Sequence, residues 1–308
     1  MGFQQRQLTA SDDHVINVYD WRADDDVTPT AVIQVLHGLG EHAARYERFA
    51  KACNSRQLAV VAHNHRGHGA LDGFGHFADA DGWDKTIADV LQVRQDIAAQ
   101  YPQVPVVLLG HSMGSYIAQS FVMRHGGNNA ALILSASTLS PRFEARSAHI
   151  AATVFALVSG KRRVSRLLNH QALGKLNDSF TPKRTGYEWL SRDEEEVDHY
   201  VADPLCGGQY SNQLWSDLTG GLLEITARKA LASVRTDMPI LILGGGDDPL
   251  GGQPGLTRLA DAYRNAGHDG VALTIYPGGR HEMLNETNRN EVINDIINWV
   301  ELQLRPQD

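Results

Sequence analysis

Short apolar runs alternate with amphipathic stretches along most of the chain. Residues 31–36, 58–62, 106–109, 131–134, 240–243 and 271–276 are rich in Val, Ile, Leu and Ala with almost no polar face. Strands buried on both sides read this way. Residues 15–21 alternate apolar and polar positions, the pattern of an edge strand. Between these runs, residues 46–56, 83–100, 116–124, 255–265 and 291–304 carry apolar residues at helical spacing. Strands alternating with helices predict an α/β fold, a mostly parallel central sheet flanked by helices.

One stretch breaks the alternation. Between Ser137 and Ser233 the periodicity is helical or absent, and no strand pattern appears. We therefore expect a core of residues 1–137 and 233–308 with an inserted helical cap at 138–232. The cap's charge is uneven. Nine Lys or Arg stand against Glu144 and Asp178 between positions 142 and 184, whereas residues 188–198 hold six acids against Arg192.

Composition narrows the class. With 308 residues, 42% of them hydrophobic and 21% charged, the chain can bury a large core. A net charge of −8 argues against nucleic acid as a partner, because phosphate contacts need a basic surface. Residues 1–7 lack the apolar core of a secretory signal, and Arg6 stands where a myristoylation signal needs Ser or Thr. No apolar run reaches the roughly 18 residues that span a bilayer. Cys53 and Cys206 lie far apart with no CxxC motif, which fits buried thiols in a reducing cytoplasm.

The chemistry centres on Gly110-His111-Ser112-Met113-Gly114. A G-x-S-x-G turn between a buried strand and a helix is the nucleophile elbow of the α/β-hydrolases, which holds a serine at a strained φ/ψ with its hydroxyl clear of the sheet. Serine is a weak nucleophile at neutral pH, so it needs a base, and the base needs an orienting acid. In this fold the acid and then the base follow the serine along the chain. After the run at 240–243 come Asp247 and Asp248; after 271–276 comes His281. Adjacent side chains of an extended turn point apart, and Pro249 holds its predecessor extended, so Asp248 is favoured over Asp247. An oxyanion hole would use the Met113 amide and a second amide from the loop His37-Gly38-Leu39-Gly40-Glu41-His42, with Leu39 as the donor. His37, Glu41 and His42 read as residues bracing that loop. His63, His65 and His68 have no carboxylate or thiolate nearby in sequence and are assigned no metal.

Together HGLGEHAARY, the RGHG turn, GHSMG, the GGDDP turn and the final GRHEML resemble the monoacylglycerol lipase and lysophospholipase group of serine hydrolases. The resemblance runs nearly end to end. It implies the α/β-hydrolase fold and the same roles for Ser112, Asp248, His281, Leu39 and Met113. Two departures stand out: Asn64 replaces the group's usual acid before the RGHG turn, and Ala70 and Leu71 replace polar residues after it. The expected activity is hydrolysis of monoacyl carboxylic esters through an acyl-enzyme, with no metal or organic cofactor. The alternatives are a lysophospholipase, a peptidase or amidase related to proline iminopeptidase (whose HGGPG-type loop is absent), and a non-catalytic binding protein on the same shell. A possible membrane contact comes from residues 150–158, an apolar run just ahead of Lys161, Arg162, Arg163 and Arg166. It is too short to span a bilayer but long enough for an interfacial helix. In the other reading the run covers the acyl pocket, and the basic residues are solvated or pair with Glu194, Glu195 and Glu196.

Overall fold

The computed structural model describes residues 2–22, 27–70, 73–126 and 129–305; Met1 and Leu71, which enter the sequence arguments above, lie outside them. Its strands are β1 (Gly2–Thr9), β2 (Val15–Arg22), β3 (Ala31–Leu36), β4 (Leu58–His63), β5 (Val106–His111), β6 (Ala131–Ser135), β7 (Ile240–Gly245) and β8 (Val271–Tyr276). They form one sheet in the order β1-β2-β4-β3-β5-β6-β7-β8. β1 pairs antiparallel with β2 and β2 with β4; every later pair is parallel. This is the expected α/β architecture with one correction. The edge is β1, not β2. β1 reads GFQQRQLT and buries no residue fully, so its pattern carries too little apolar signal to be seen without its partner.

Alternation along the strands sends apolar side chains to both faces of the sheet. On β5, Leu108 packs with Ile117, Phe121 and Leu256 on one face, while Val107 and Leu109 pack with Phe49, Ile293 and Ile297 on the other. The first face is covered by α2 (Gly82–Gln100), α3 (Met113–His125) and α9 (Gly252–Asn265); the second by α1 (Glu47–Asn54) and α10 (Arg289–Gln303). α3 begins three residues earlier than its apolar periodicity predicts. Gly114 and Ser115 are weak helix formers, and close packing against β3 and β5 sets the start instead.

Between β6 and β7 the chain forms α4 (Arg142–Ser159), α5 (Arg166–Leu173), α6 (Glu194–Ala202), α7 (Asn212–Ile225) and α8 (Arg228–Leu231). α7 lies on α3, and α4 lies on α7. Among the described residues the one β-pairing in this stretch is the bridge Val164–Ser211. No helix among them is long and apolar enough to cross a membrane.

Candidate active site

β5 ends at His111 and α3 starts at Met113, so Ser112 alone makes the turn. Its backbone sits at φ 51° and ψ −119°, a region that costs about 1–3 kcal/mol and needs its surroundings to hold it. Here its N–H donates to the Ser135 carbonyl at 3.0 Å, and its carbonyl accepts from the Ser115 N–H at 2.9 Å and the Ser115 hydroxyl at 2.6 Å. Strand and helix cross so closely that a Cβ on Gly110 would strike the Gly114 carbonyl, and one on Gly114 the Leu36 carbonyl. The N-terminus of α3 then faces the serine with its unpaired amides.

The loops after β7 and β8 deliver the other two groups. His281 Nε2 lies 2.9 Å from Ser112 Oγ, and His281 Nδ1 lies 2.8 Å from Asp248 Oδ2. Asp248 is buried and its Oδ1 accepts from the Leu250 N–H at 2.9 Å, whereas Asp247 is exposed. The structure thus brings Asp248, and not its neighbour, to the imidazole. Burial alone would lower the His281 pKa, but the Asp248 carboxylate outweighs it and raises the pKa above the ordinary value of 6.5. The chain between β6 and β7 packs against this histidine. The Trp189 ring sits 4.8 Å from the imidazole between centroids, and the carbonyls of Trp189 and Leu190 accept from the N–H groups of His281 and Glu282.

The loop after β3 supplies the third component. Leu39 and Met113 both line the cavity above Ser112, and among the described residues neither N–H meets an acceptor. Glu41 holds the loop, accepting from the Gly38 N–H at 2.6 Å, the Tyr46 hydroxyl at 3.0 Å and Arg45 at 3.0 Å. Arg45 also grips Glu282 through two bonds of 2.7 Å, so the loop after β3 and the loop after β8 share one buried ion network. The cap joins it as well: Tyr200 donates to the Gly40 carbonyl at 2.8 Å, and His42 Nε2 lies 2.8 Å from Asp203. Arg45 falls within HGLGEHAARY, yet nothing local to Arg45, Tyr200 or Asp203 shows which partner each takes; those partners lie up to 237 residues away in the chain. Asn64 accepts from the Ala43 N–H at 2.9 Å, so the departure at this position still anchors the loop.

His65 and His68 pack against His37 under this loop, His63 packs against His65, and His37 Nε2 accepts from the His65 N–H at 3.0 Å. Burial holds them neutral, pulling His63 down to about 3 and His68 down to about 4. Among the described residues one trio, His42, Asp203 and Cys206, brings three potential metal-binding atoms within 4.8 Å of one another. His42 and Asp203 already satisfy each other, and burial pushes the Cys206 thiol up, away from the thiolate a metal would need.

Above Ser112 opens a cavity of about 880 Å³, large enough for a drug-sized ligand. Met113, Leu173, Leu218 and Leu222 give it an apolar wall, while Arg166 and Lys183 stand on the cap side. The run at 150–158 lies on α4 and does not line this cavity, so it does not roof the pocket. Nor do the basic residues after it pair with Glu194, Glu195 or Glu196. Arg162 takes both oxygens of Asp79 at 2.8 Å and Lys161 donates to the Asp79 carbonyl, whereas Glu196 binds Arg48.

A strained serine, a buried imidazole and a paired carboxylate can together transfer an acyl group. The relatives agree. A family model described as "Serine aminopeptidase, S33" matches residues 27–288. Human monoglyceride lipase is 32% identical over 276 residues, covering 89% of this chain and 83% of its own length. The chain belongs to the monoacylglycerol lipase-like serine α/β-hydrolases. The monoacylglycerol lipase of Mycolicibacterium smegmatis is 29% identical over 92% of each chain. A thermostable carboxyl esterase from Bacillus coagulans, solved with glycerol, matches at TM-score 0.90 over 99% of this chain and all of that one. At 24% identity that match speaks to the fold alone. This family member is an enzyme, an ester hydrolase of the serine type.

Proposed function

We propose that the chain hydrolyses single-chain acyl esters, monoacylglycerols foremost, with Ser112 as nucleophile, His281 as general base and Asp248 as its orienting acid. One observation carries the reading: the Ser112–His281–Asp248 chain of 2.9 and 2.8 Å contacts sits at the foot of a leucine-walled cavity. Ser112 Oγ attacks the ester carbonyl as its proton passes to His281 Nε2. The carbonyl oxygen becomes an oxyanion beside the Leu39 and Met113 amides. His281 then protonates the leaving alcohol, and water, deprotonated by the same imidazole, releases the acid and restores Ser112. Residues 138–232 act as a lid subdomain on a core of 1–137 and 233–308.

The carboxylates lining the cavity weigh against a peptidase that grips a free amine. Glu41 and Glu282 are held by Arg45, and Asp178 by Lys183 at 3.0 Å. Among the described residues lining the cavity, an ammonium group would meet no carboxylate without a side-chain partner, Glu41 and Glu282 sharing Arg45. Rates on p-nitrophenyl butyrate, monoacylglycerols, lysophospholipids and an aminoacyl anilide test the proposal. It expects monoacylglycerols and the aryl ester to be cleaved fastest and the anilide to be inert; an anilide cleaved faster than every ester would contradict it.

The outer face of α4 rests on lipid in the same reading. Phe143, Ile150, Val154, Leu157 and Val158 are all more than half exposed, from 51% at Val154 to 81% at Val158, while Ala152 and Ala156 face inward. Contiguous apolar exposure of this kind marks an interaction surface. Because Lys161 and Arg162 are taken by Asp79, the basic residues left to meet anionic head groups are Arg163 and Arg166, worth about 2 kcal/mol together. Cytoplasmic residence completes the proposal: Cys53 and Cys206 are free thiols, as a reducing compartment keeps them.

A further inference from the structure

A second groove, of about 680 Å³, opens at the opposite end of the sheet. Parallel β5 carries Ser112 just past its C-terminal end, whereas this groove is lined by Pro105 and Val106 at its N-terminal end. The six residues of β5 separate the two by about 20 Å. The groove's floor holds an unusual charge. Arg94, on α2, is only 9% exposed. Its Nε donates to Gln34 Oε1 and its Nη1 to Asn129 Oδ1, both at 2.7 Å, and its third nitrogen, Nη2, has no partner among the described residues. The Phe121 ring lies 5.4 Å below it. All of these neighbours are neutral. Burial pulls the guanidinium's pKa down to about 10, and among the described residues no carboxylate stands near enough to push it back.

Asn129 repeats the pattern. It is 1% exposed, its Oδ1 is fixed on Arg94, and its Nδ2 has no acceptor among the described residues. A buried guanidinium and a buried amide thus each hold an idle N–H, and both residues line the groove. Buried donors of this kind are costly unless something accepts from them. Arg235 and His125 add basic groups to the rim; Arg235 itself pairs with Asp237 and donates to the Asn129 carbonyl.

We infer that the Arg94–Asn129 groove is a binding site for a small oxyanion, a carboxylate or a phosphate. The donors it would engage are Arg94 Nη2 and Asn129 Nδ2, the two N–H groups of this groove's lining side chains that lack a partner among the described residues. A guanidinium with a free N–H and an adjacent amide suits a two-oxygen acceptor. Leu91, Val104 and Phe121 beside them leave room for an acyl chain on that acceptor, so the anion is either free or the head of a fatty carboxylate.

Calorimetric titration at fixed ionic strength tests this with inorganic phosphate and with decanoate, on wild type and Arg94→Met. Saturable uptake that weakens by about tenfold or more in Arg94→Met, as loss of a charge-assisted hydrogen bond demands, supports the site. A difference seen with phosphate names the free anion; one seen with decanoate alone names the acyl carboxylate. Decanoate held at the catalytic cavity is common to both proteins and cancels. Equal uptake of both probes by the two proteins, or none by either, overturns the inference. Asn129→Asp gives Arg94 an internal acceptor, so it should lose anion uptake and unfold at a higher temperature; wild-type uptake by that variant would also overturn it. Unchanged ester hydrolysis by both variants reports that they fold.

Discussion

Replacing Asp248 with Asn changes one atom and should disable the base almost completely. In the native site Asp248 Oδ2 accepts from His281 Nδ1–H at 2.8 Å, which leaves Nε2 bare toward Ser112 Oγ at 2.9 Å. Asp248 Oδ1 is already committed to the Leu250 N–H at 2.9 Å. An amide at 248 must keep its oxygen on that N–H, because its NH₂ there would set two donors face to face. Its NH₂ then points at His281 Nδ1 and donates to it. The imidazole proton moves to Nε2, and the serine faces a donor where it needs an acceptor. The wrong tautomer costs on the order of 10⁴ in kcat in triads of this kind, about 5 kcal/mol of barrier. Asp247→Asn is the control: its side chain is exposed, and its loss should stay under about tenfold. Steady-state rates on p-nitrophenyl butyrate at pH 8 decide the matter. Asp248→Asn retaining more than about a tenth of wild-type kcat, or Asp247→Asn losing more than it does, would refute the reasoning.

Three further outcomes follow from the same geometry. The base works only when neutral and its pKa is raised by Asp248, so kcat/KM should fall as pH drops through a midpoint above 6.5; a wild-type midpoint below 6.5 would contradict the raised pKa. Burial would raise the Glu282 pKa, but Arg45 more than offsets it and holds the carboxyl well below the usual range, so its contribution is present above the unfolded value of about 4.3 and fades as pH falls through the folded one. Glu282→Gln should therefore cost about 3–5 kcal/mol in urea unfolding at pH 7 and less at pH 3, and a deficit that does not shrink in acid would break the argument. Changing Ile150, Val154, Leu157 and Val158 together to Ser should abolish co-sedimentation with anionic vesicles while leaving hydrolysis of a soluble ester intact, and undiminished sedimentation would remove the lipid surface from the account.

The parallel strands and the loops holding Ser112, Asp248 and His281 were legible because each sits on a signal local to a few residues. Val106 to Leu109 has no polar face, and Gly110 and Gly114 are required by contacts the turn itself creates. β1 was not legible, since a strand exposed on its free side needs no apolar face. Nor was the network that joins the loops. Arg45 reaches Glu282, Tyr200 reaches Gly40 and His42 reaches Asp203, and none of these pairs leaves a periodic or spaced trace in the chain. The segment between β6 and β7 was legible as helical but not in its facing. The run at 150–158 is apolar nearly throughout, so its pattern cannot tell the side packed on α7 from the side left bare. The pairing of Lys161 and Arg162 with Asp79, some 80 residues away, was hidden for the same reason.

The central claim is that Ser112 is the nucleophile. A fluorophosphonate probe followed by peptide mass spectrometry tests it most directly, because the probe bonds only to a serine activated as Ser112 would be by His281. One labelled residue, Ser112, is expected, with labelling and ester hydrolysis both lost in Ser112→Ala, the latter by about 10⁴ to 10⁶. Labelling that persists in Ser112→Ala, or falls on another residue in the wild type, would contradict it.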